Sequence, residues 1–199
     1  MTTVARPGTE RMSANAAVAA VHAARGARDI VVTTMTPARD WMLLPAHPLD
    51  LVLVPSAMGG APSLGLGLAL AQPNRRVIVL NGDGSMLMNL GALVTIAESR
   101  ATNLFLVVFQ NGTYEVTGSQ RLPGGASVDF GAIARGSGMT STYDYASDSA
   151  WSADVARLIA APGPTFVTLH VEPVLGRPGP KSPGPASARG ASFAHALHE

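Results

Sequence analysis

Val77-Ile78-Val79-Leu80-Asn81-Gly82-Asp83-Gly84-Ser85 is the stretch on which the fold turns. Four consecutive branched aliphatic residues predict a short strand buried on both faces, as strands of a parallel sheet are. The run ends without a spacer in Gly-Asp-Gly, and helix-forming residues come next. Strand, tight turn and helix in that order are half of a βαβ unit. Working outward, further apolar runs at 30–33, 51–54, 104–109, 141–145 and 165–171 alternate with helical stretches at 13–26, 37–44, 60–71, 87–99, 129–137 and 149–160. The alternation predicts an α/β fold, a doubly wound, mostly parallel six-stranded sheet with helices on both faces. Residues 1–12 and the Pro/Gly-rich 173–199 read as tails of one domain at 13–172. The second tail is expected to be irregular from Gly176 onward, with Phe193, Ala194 and Leu197 forming a short docking turn.

Composition narrows the function. The 199 residues carry a net charge of +1 with scattered Lys and Arg, which gives no basic field for a nucleic-acid backbone. Cysteine is absent, so a metal would be held by oxygen or imidazole. No apolar run approaches the ~20 residues needed to span a bilayer. No export signal is read in the Ala-rich stretch 16–24, so the expected setting is cytoplasmic. The five histidines follow no ligand spacing, and none is assigned to catalysis.

In a doubly wound sheet, ligands sit beyond the carboxyl ends of the strands, where chain segments lead into helix N-termini. Four segments occupy that position, at 33–37, 55–60, 81–86 and 110–120. In the third, Gly82 and Gly84 flank Asp83. This is either a plain turn or a place where backbone amides of Gly84 and Ser85 meet phosphate oxygens while Asp83 holds a hard cation. In the fourth, Gln110-Asn111-Gly112-Thr113-Tyr114 succeeds the strand at 104–109, with Asn111 28 residues after Asp83. One helix and one strand fit between them, so neighbouring parallel strands bring both side chains to one sheet edge. A carboxylate, an amide oxygen, a turn carbonyl and ligand oxygens make an octahedral Mg²⁺ shell. Thr34 and Thr36, in the first segment, are either helix caps or donors to a phosphate.

Gly-Asp-Gly, this spacer and an Asn opening a glycine-containing loop together resemble the cofactor signature of the thiamine diphosphate-binding fold. The resemblance is to its diphosphate-binding, C-terminal-type domain. Within that fold the chain looks most like the beta-type subunit of the sulfopyruvate and phosphonopyruvate decarboxylase group. Met58-Gly59, the run 64–69, GDGSMLMNLG at 82–91, NGTYEVTGSQ at 111–120 and Leu175-Gly176-Arg177-Pro178 carry that likeness. The resemblance implies thiamine diphosphate and Mg²⁺ as cofactors, with Asp83, the Asn111 side chain and the Thr113 carbonyl on the metal. It places Thr34, Thr36, Ser56, Ala57, Met58, Gly59, Gly82, Asp83, Gly84, Ser85, Asn111, Thr113 and Tyr114 around the cofactor. Met58 is either the apolar wedge that bends the cofactor into a V or an ordinary core methionine. Where the family often has two Asn, this chain has Gln110-Asn111, and the metal role falls on Asn111.

Tyr114, Glu115 and Thr117 are the candidates for the substrate wall. A carboxylate at 115 would repel an anionic substrate, so Glu115 is expected either to face solvent or to mark a substrate without sulfonate or phosphonate. The resemblance also implies a glutamate from a homologous pyrimidine-binding domain, for which 199 residues leave no room. The expected partner is a separate pyrimidine-binding, alpha-type subunit in a heterotetramer or larger assembly acting on a small 2-keto acid. Two alternatives share the same segments: a carboligase of the acetolactate synthase kind, and a non-catalytic phosphate-ligand-binding module.

Overall fold

The computed structural model describes residues 10–55 and 58–199. The chain runs in the order α1 (Ala14–Ala24), β1 (Ile30–Thr34), α2 (Met35–Trp41), β2 (Asp50–Leu53), α3 (Ala61–Ala71), β3 (Val77–Gly82), α4 (Asp83–Leu87) and α5 (Ala92–Ser99). It continues through β4 (Leu104–Gln110), a small hairpin of β5 (Thr113–Tyr114) and β6 (Gln120–Arg121), α6 (Phe130–Gly136), β7 (Ser141–Tyr145), α7 (Asp148–Ala160), β8 (Thr165–His170) and α8 (Ala186–Ala196). The main sheet has six strands in the order β2-β1-β3-β4-β8-β7, every neighbouring pair parallel. The expected fold class is therefore the observed one.

The period-two alternation of the strands divides the core into two layers. Ile30, Val32, Val77, Val79, Leu104, Leu106, Val108 and Phe166 face α3, α5, α6 and α8. Val31, Ile78, Leu80, Phe105, Val107, Phe109, Val167 and Leu169 face α1 and α7. Gly65 lets α3 lie directly on the sheet, since a Cβ there would collide with the Val79 side chain. At the base of the sheet, Asn103 Nδ2 donates to the carbonyls of Ala69, Gln72 and Arg75. Arg76 donates to Thr102 O and Ala161 O there.

Three expectations change. The segments at 33–37 and 81–86 are not loops: β1 passes straight into α2 through Met35, with φ of 59°, and β3 straight into α4. The single helix expected at 87–99 is two, because i→i+3 bonds such as Ala92 N to Asn89 O tighten the turn between α4 and α5. Asn89 is needed at that turn, where its Nδ2 donates to Gly59 O at 3.1 Å.

Both ends also carry more structure than expected. Met12 is buried and bridges Val171 in parallel, its amide donating to His170 O. The tail holds the three-turn helix α8, not a docking turn in irregular backbone. Phe193 and Ala196 of α8 are buried in the core with Leu197 packed beside them. Burial of that face is what stabilises a helix in so polar a segment. Arg189 on α8 donates to the carbonyls of Val52 and Val54, sealing the outer edge of β2.

Candidate functional site

Strand order reverses between β1 and β3, since β2 lies on one side of β1 and β3, β4, β8 and β7 on the other. Such a switch point opens a crevice at the carboxyl ends of the two strands. Here it brings together Met35 and Thr36 from the start of α2, Gly82 to Ser85 from the end of β3, and Asn111 to Thr117 from beyond β4. Met58 and Phe109 complete the lining. The cleft encloses about 370 Å³, part of it open to solvent.

Asp83 sits at its floor, 2% exposed. Its Oδ1 accepts from Gly84 N at 2.8 Å and its Oδ2 from Gly112 N at 2.7 Å, so the carboxylate ties β3 to the segment after β4. The Gly84 amide, expected to meet phosphate, is thus engaged by Asp83 instead. Burial pushes the Asp83 carboxyl up to about 6, although the amides of Gly112 and Gly84 pull it down. None of the ion pairs among the described residues includes it. A desolvated carboxylate without a counter-charge fits a bound cation, which supplies that charge.

Asn111 is buried beside it. Its Oδ1 accepts from Thr113 N at 2.9 Å, so the oxygens of Asp83 and Asn111 converge on consecutive amides, those of Gly112 and Thr113. Gln110 turns elsewhere, its Nε2 donating to Val128 O at 2.9 Å. The donor set of one carboxylate, one amide oxygen and a turn backbone fits Mg²⁺. Thr34, wholly buried at the end of β1, has a hydroxyl without a partner among the described residues, and Thr36 lines the cleft. These suit the phosphate end of an anionic cofactor.

The Ser85 hydroxyl has a structural partner, its Oγ accepting from Gly59 N at 2.9 Å. Together with Asn89 it holds the segment that carries Met58, which is half-buried at the cleft. Ser56 and Ala57, also expected at the cofactor, lie outside the described residues. Tyr114 packs its ring over Gly84: a Cβ on Gly84 would stand 2.7 Å from the ring. Thr117 is exposed at the rim.

Glu115 overturns the expectation that it faces solvent. It is 4% exposed, with Oε1 accepting from Arg39 Nη2 at 2.7 Å and Oε2 from Asn111 Nδ2 at 2.9 Å and Val174 N at 3.1 Å. Arg39 and Asp40 were missed in the sequence. Asp40 pairs with Arg39 at 3.5 Å and with Arg177 at 3.0 Å, which anchors the chain beyond β8 over the site. Burial raises the Asp40 carboxyl despite these two arginines. Because Arg39 neutralises Glu115, the carboxylate no longer argues against an anionic substrate.

Similarity to known proteins bears on the family. The family model for the thiamine pyrophosphate enzyme C-terminal TPP binding domain matches residues 14–169. Phosphonopyruvate decarboxylase of Streptomyces hygroscopicus is 37% identical over 153 residues, which are 75% of this chain and 37% of that protein. Sulfopyruvate decarboxylase subunit beta of Methanothermobacter thermautotrophicus is 44% identical over 117 residues, 59% of this chain and 60% of that subunit. The chain thus spans less than two thirds of the length of either relative. A solved structure described as a thiamin diphosphate-dependent enzyme from Mycobacterium smegmatis superposes with a TM-score of 0.70 at 25% identity, covering 87% of this chain and 35% of that one.

Proposed function

Since this chain belongs to the thiamine pyrophosphate enzyme family, through the C-terminal TPP-binding domain, we propose that it holds the diphosphate end of thiamine diphosphate through Mg²⁺. In this reading it is one component of a 2-keto acid decarboxylase of the sulfopyruvate and phosphonopyruvate decarboxylase kind. The observation that carries it is Asp83, a buried carboxylate with no cationic side chain paired to it among the described residues, bonded to the amide that succeeds Asn111. Asp83, Asn111 Oδ1 and the Thr113 carbonyl would hold the metal, and Thr34 and Thr36 the terminal phosphate.

When bound, thiamine diphosphate supplies the electron sink for breaking the bond to a carboxylate. The chain's residues supply position. Met58, held by the Gly59 contacts to Ser85 and Asn89, would press the cofactor into its bent shape. Tyr114 and Thr117 form one wall of the cleft and, with Glu115 paired to Arg39, that wall presents no unpaired carboxylate among the described residues to an anionic 2-keto acid. No glutamate of the described cleft is free to activate the cofactor, as Glu115 is spent on three donors. That group would come from a pyrimidine-binding subunit.

Exposed apolar side chains support that reading. α3 and α5 pack together, and Leu64, Val94 and, in the turn between α4 and α5, Met88 are exposed. Apolar side chains left in water on adjoining helices fit an interface in a heterotetramer or larger assembly. The test is turnover of several 2-keto acids with thiamine diphosphate and Mg²⁺ by each component and by the mixture. Activity is expected only from the mixture, and comparable turnover by the isolated chain would overturn the two-component reading. Adding an aldehyde acceptor to the same assay separates decarboxylation from carboligation. The latter is kept open by a 25% identity over 163 residues to acetolactate synthase isozyme 1 large subunit of Escherichia coli.

A further inference from the structure

Glu115 has a role that neither the cofactor nor a substrate requires of it directly. Asn111 lies between two neighbours of opposite hydrogen-bonding character. On one side Glu115 Oε2, which only accepts, stands 2.9 Å from Asn111 Nδ2. On the other the Thr113 amide, which only donates, stands 2.9 Å from Asn111 Oδ1, with the Thr113 hydroxyl at 3.3 Å. Only one orientation of the side-chain amide satisfies both. Turned over, it would set an oxygen against a carboxylate and an NH₂ against an N–H. Glu115 is itself fixed from outside the cleft by Arg39 and the Val174 amide, with its side chain 1% exposed.

We propose that Glu115 is a positioning residue of the metal site. Its carboxylate holds the Asn111 amide so that Oδ1, and not Nδ2, lies on the side of the Gly112 and Thr113 amides where Asp83 is bonded. A cation can be bound by Oδ1 but is repelled by an NH₂ group. The inference rests on Asp83 and Asn111 being the cation ligands. It adds that the orientation is set by a residue that never touches the cation. It also links the segment beyond β8 to the metal, since Val174 N is one of the three donors on Glu115.

The experiment measures Mn²⁺ affinity, by the electron paramagnetic resonance signal of the bound ion, in the chain assembled with its pyrimidine-binding subunit and loaded with thiamine diphosphate. Glu115→Gln keeps the size of the side chain but can offer an NH₂ or an oxygen to Asn111, so the amide loses its unique orientation. Mn²⁺ is expected to bind about tenfold more weakly, the scale of one lost charge-assisted hydrogen bond. In an Asn111→Ala background the same substitution should leave Mn²⁺ affinity unchanged, while it still lowers the melting temperature there, through the contacts of Glu115 to Arg39 and Val174. Glu115→Asp, which keeps the charge for Arg39 but shortens the reach to Asn111, carries the same expectation should the Gln variant fail to fold. Unaltered affinity in these variants, or an equal loss with and without Asn111, overturns the proposal. Asp83→Ala is the control: if it too leaves Mn²⁺ affinity unchanged, the metal site itself is wrong, a failure distinct from that of Glu115.

Discussion

The two ends of the sheet are built on different terms. At the base, polar side chains find partners within the chain: the Asn103 NH₂ is shared among three carbonyls, Arg76 donates to two, and Arg25 pairs with Asp50 while also donating to Asp29 O. At the carboxyl end, buried polar atoms are left over. Among the described residues, Thr33 and Thr34 Oγ1, Asp40 Oδ2, Asn81 Oδ1, Gln110 Oε1, Ser119 Oγ and Thr168 Oγ1 have no partner; Asp40 is in the last turn of α2, and the others lie in the upper part of a strand or in the segment beyond a strand's end. Arg25 Nε is the sole exception at the base. An unpaired buried polar group costs roughly 1–3 kcal/mol, so a fold keeps such groups where something else is to meet them. The base serves the fold, and the carboxyl end serves a ligand at the fold's expense.

That contrast can be broken most forcefully at Asp83. Asp83→Ala should weaken Mg²⁺-dependent retention of thiamine diphosphate by roughly 100-fold or more, with Asn111→Ala close behind, by loss of one oxygen ligand each. Calorimetric titration checks this, and unchanged affinity in both would falsify the metal assignment. Met58→Ala should retain cofactor but lose about tenfold or more in turnover, because the anchor stays while the bent shape is no longer imposed. Full activity would return Met58 to ordinary packing.

The next effect is on the protein without its cofactor. A carboxyl raised from 3.8 to about 6 binds its proton more tightly in the folded than in the unfolded chain, so stability falls as pH rises across that window and the full penalty applies above it. Asp83→Asn should remove that penalty, worth roughly 3 kcal/mol at most, above pH 6. Its melting temperature relative to the cofactor-free wild type should be higher at about pH 7.5 than near pH 4, on top of a pH-independent cost of setting an NH₂ against the Gly84 or Gly112 amide. A constant gap at every pH would mean that the carboxylate's charge is not what costs stability.

The base should answer in the opposite way. Asn103→Ala is expected to cost about 2 kcal/mol of stability, leaving several carbonyls short of a donor, with cofactor affinity unaltered in the folded protein. Smallest of all, Arg189→Ala should cost about 1 kcal/mol, since the carbonyls of Val52 and Val54 turn to water once the guanidinium is gone. Urea unfolding measures both. A base variant that also weakened the cofactor would erase the distinction between the two ends.

Much of this was legible because it is local. The strands announce themselves as aliphatic runs, and β3 and β4 end in residues whose spacing puts Asp83 and Asn111 on one edge. What escaped depends on distant partners. Nothing near Glu115 in the sequence says that Arg39, 76 residues earlier, will neutralise it, or that Val174 will cover it. The gap in chain length hides the contact, and an isolated carboxylate in a polar loop is usually solvated. Helix α8 was hidden for another reason. Pro and Gly dominate the segment before it, yet Phe193, Ala196 and Leu197 stand at the i, i+3, i+4 spacing of an apolar helix face.

The seal that Arg189 places on β2 has a temporal side. The carbonyls of Val52 and Val54 are made 137 and 135 residues before the side chain that covers them. At roughly 5–20 residues per second, a ribosome takes roughly seven to twenty-seven seconds to span that interval. Until then the nascent chain presents a strand edge with nothing along it, the form of backbone most ready to pair with a neighbouring chain. Yield from a crowded ribosome should therefore depend on how fast residues 55–189 are translated, a property of the messenger as much as of the fold.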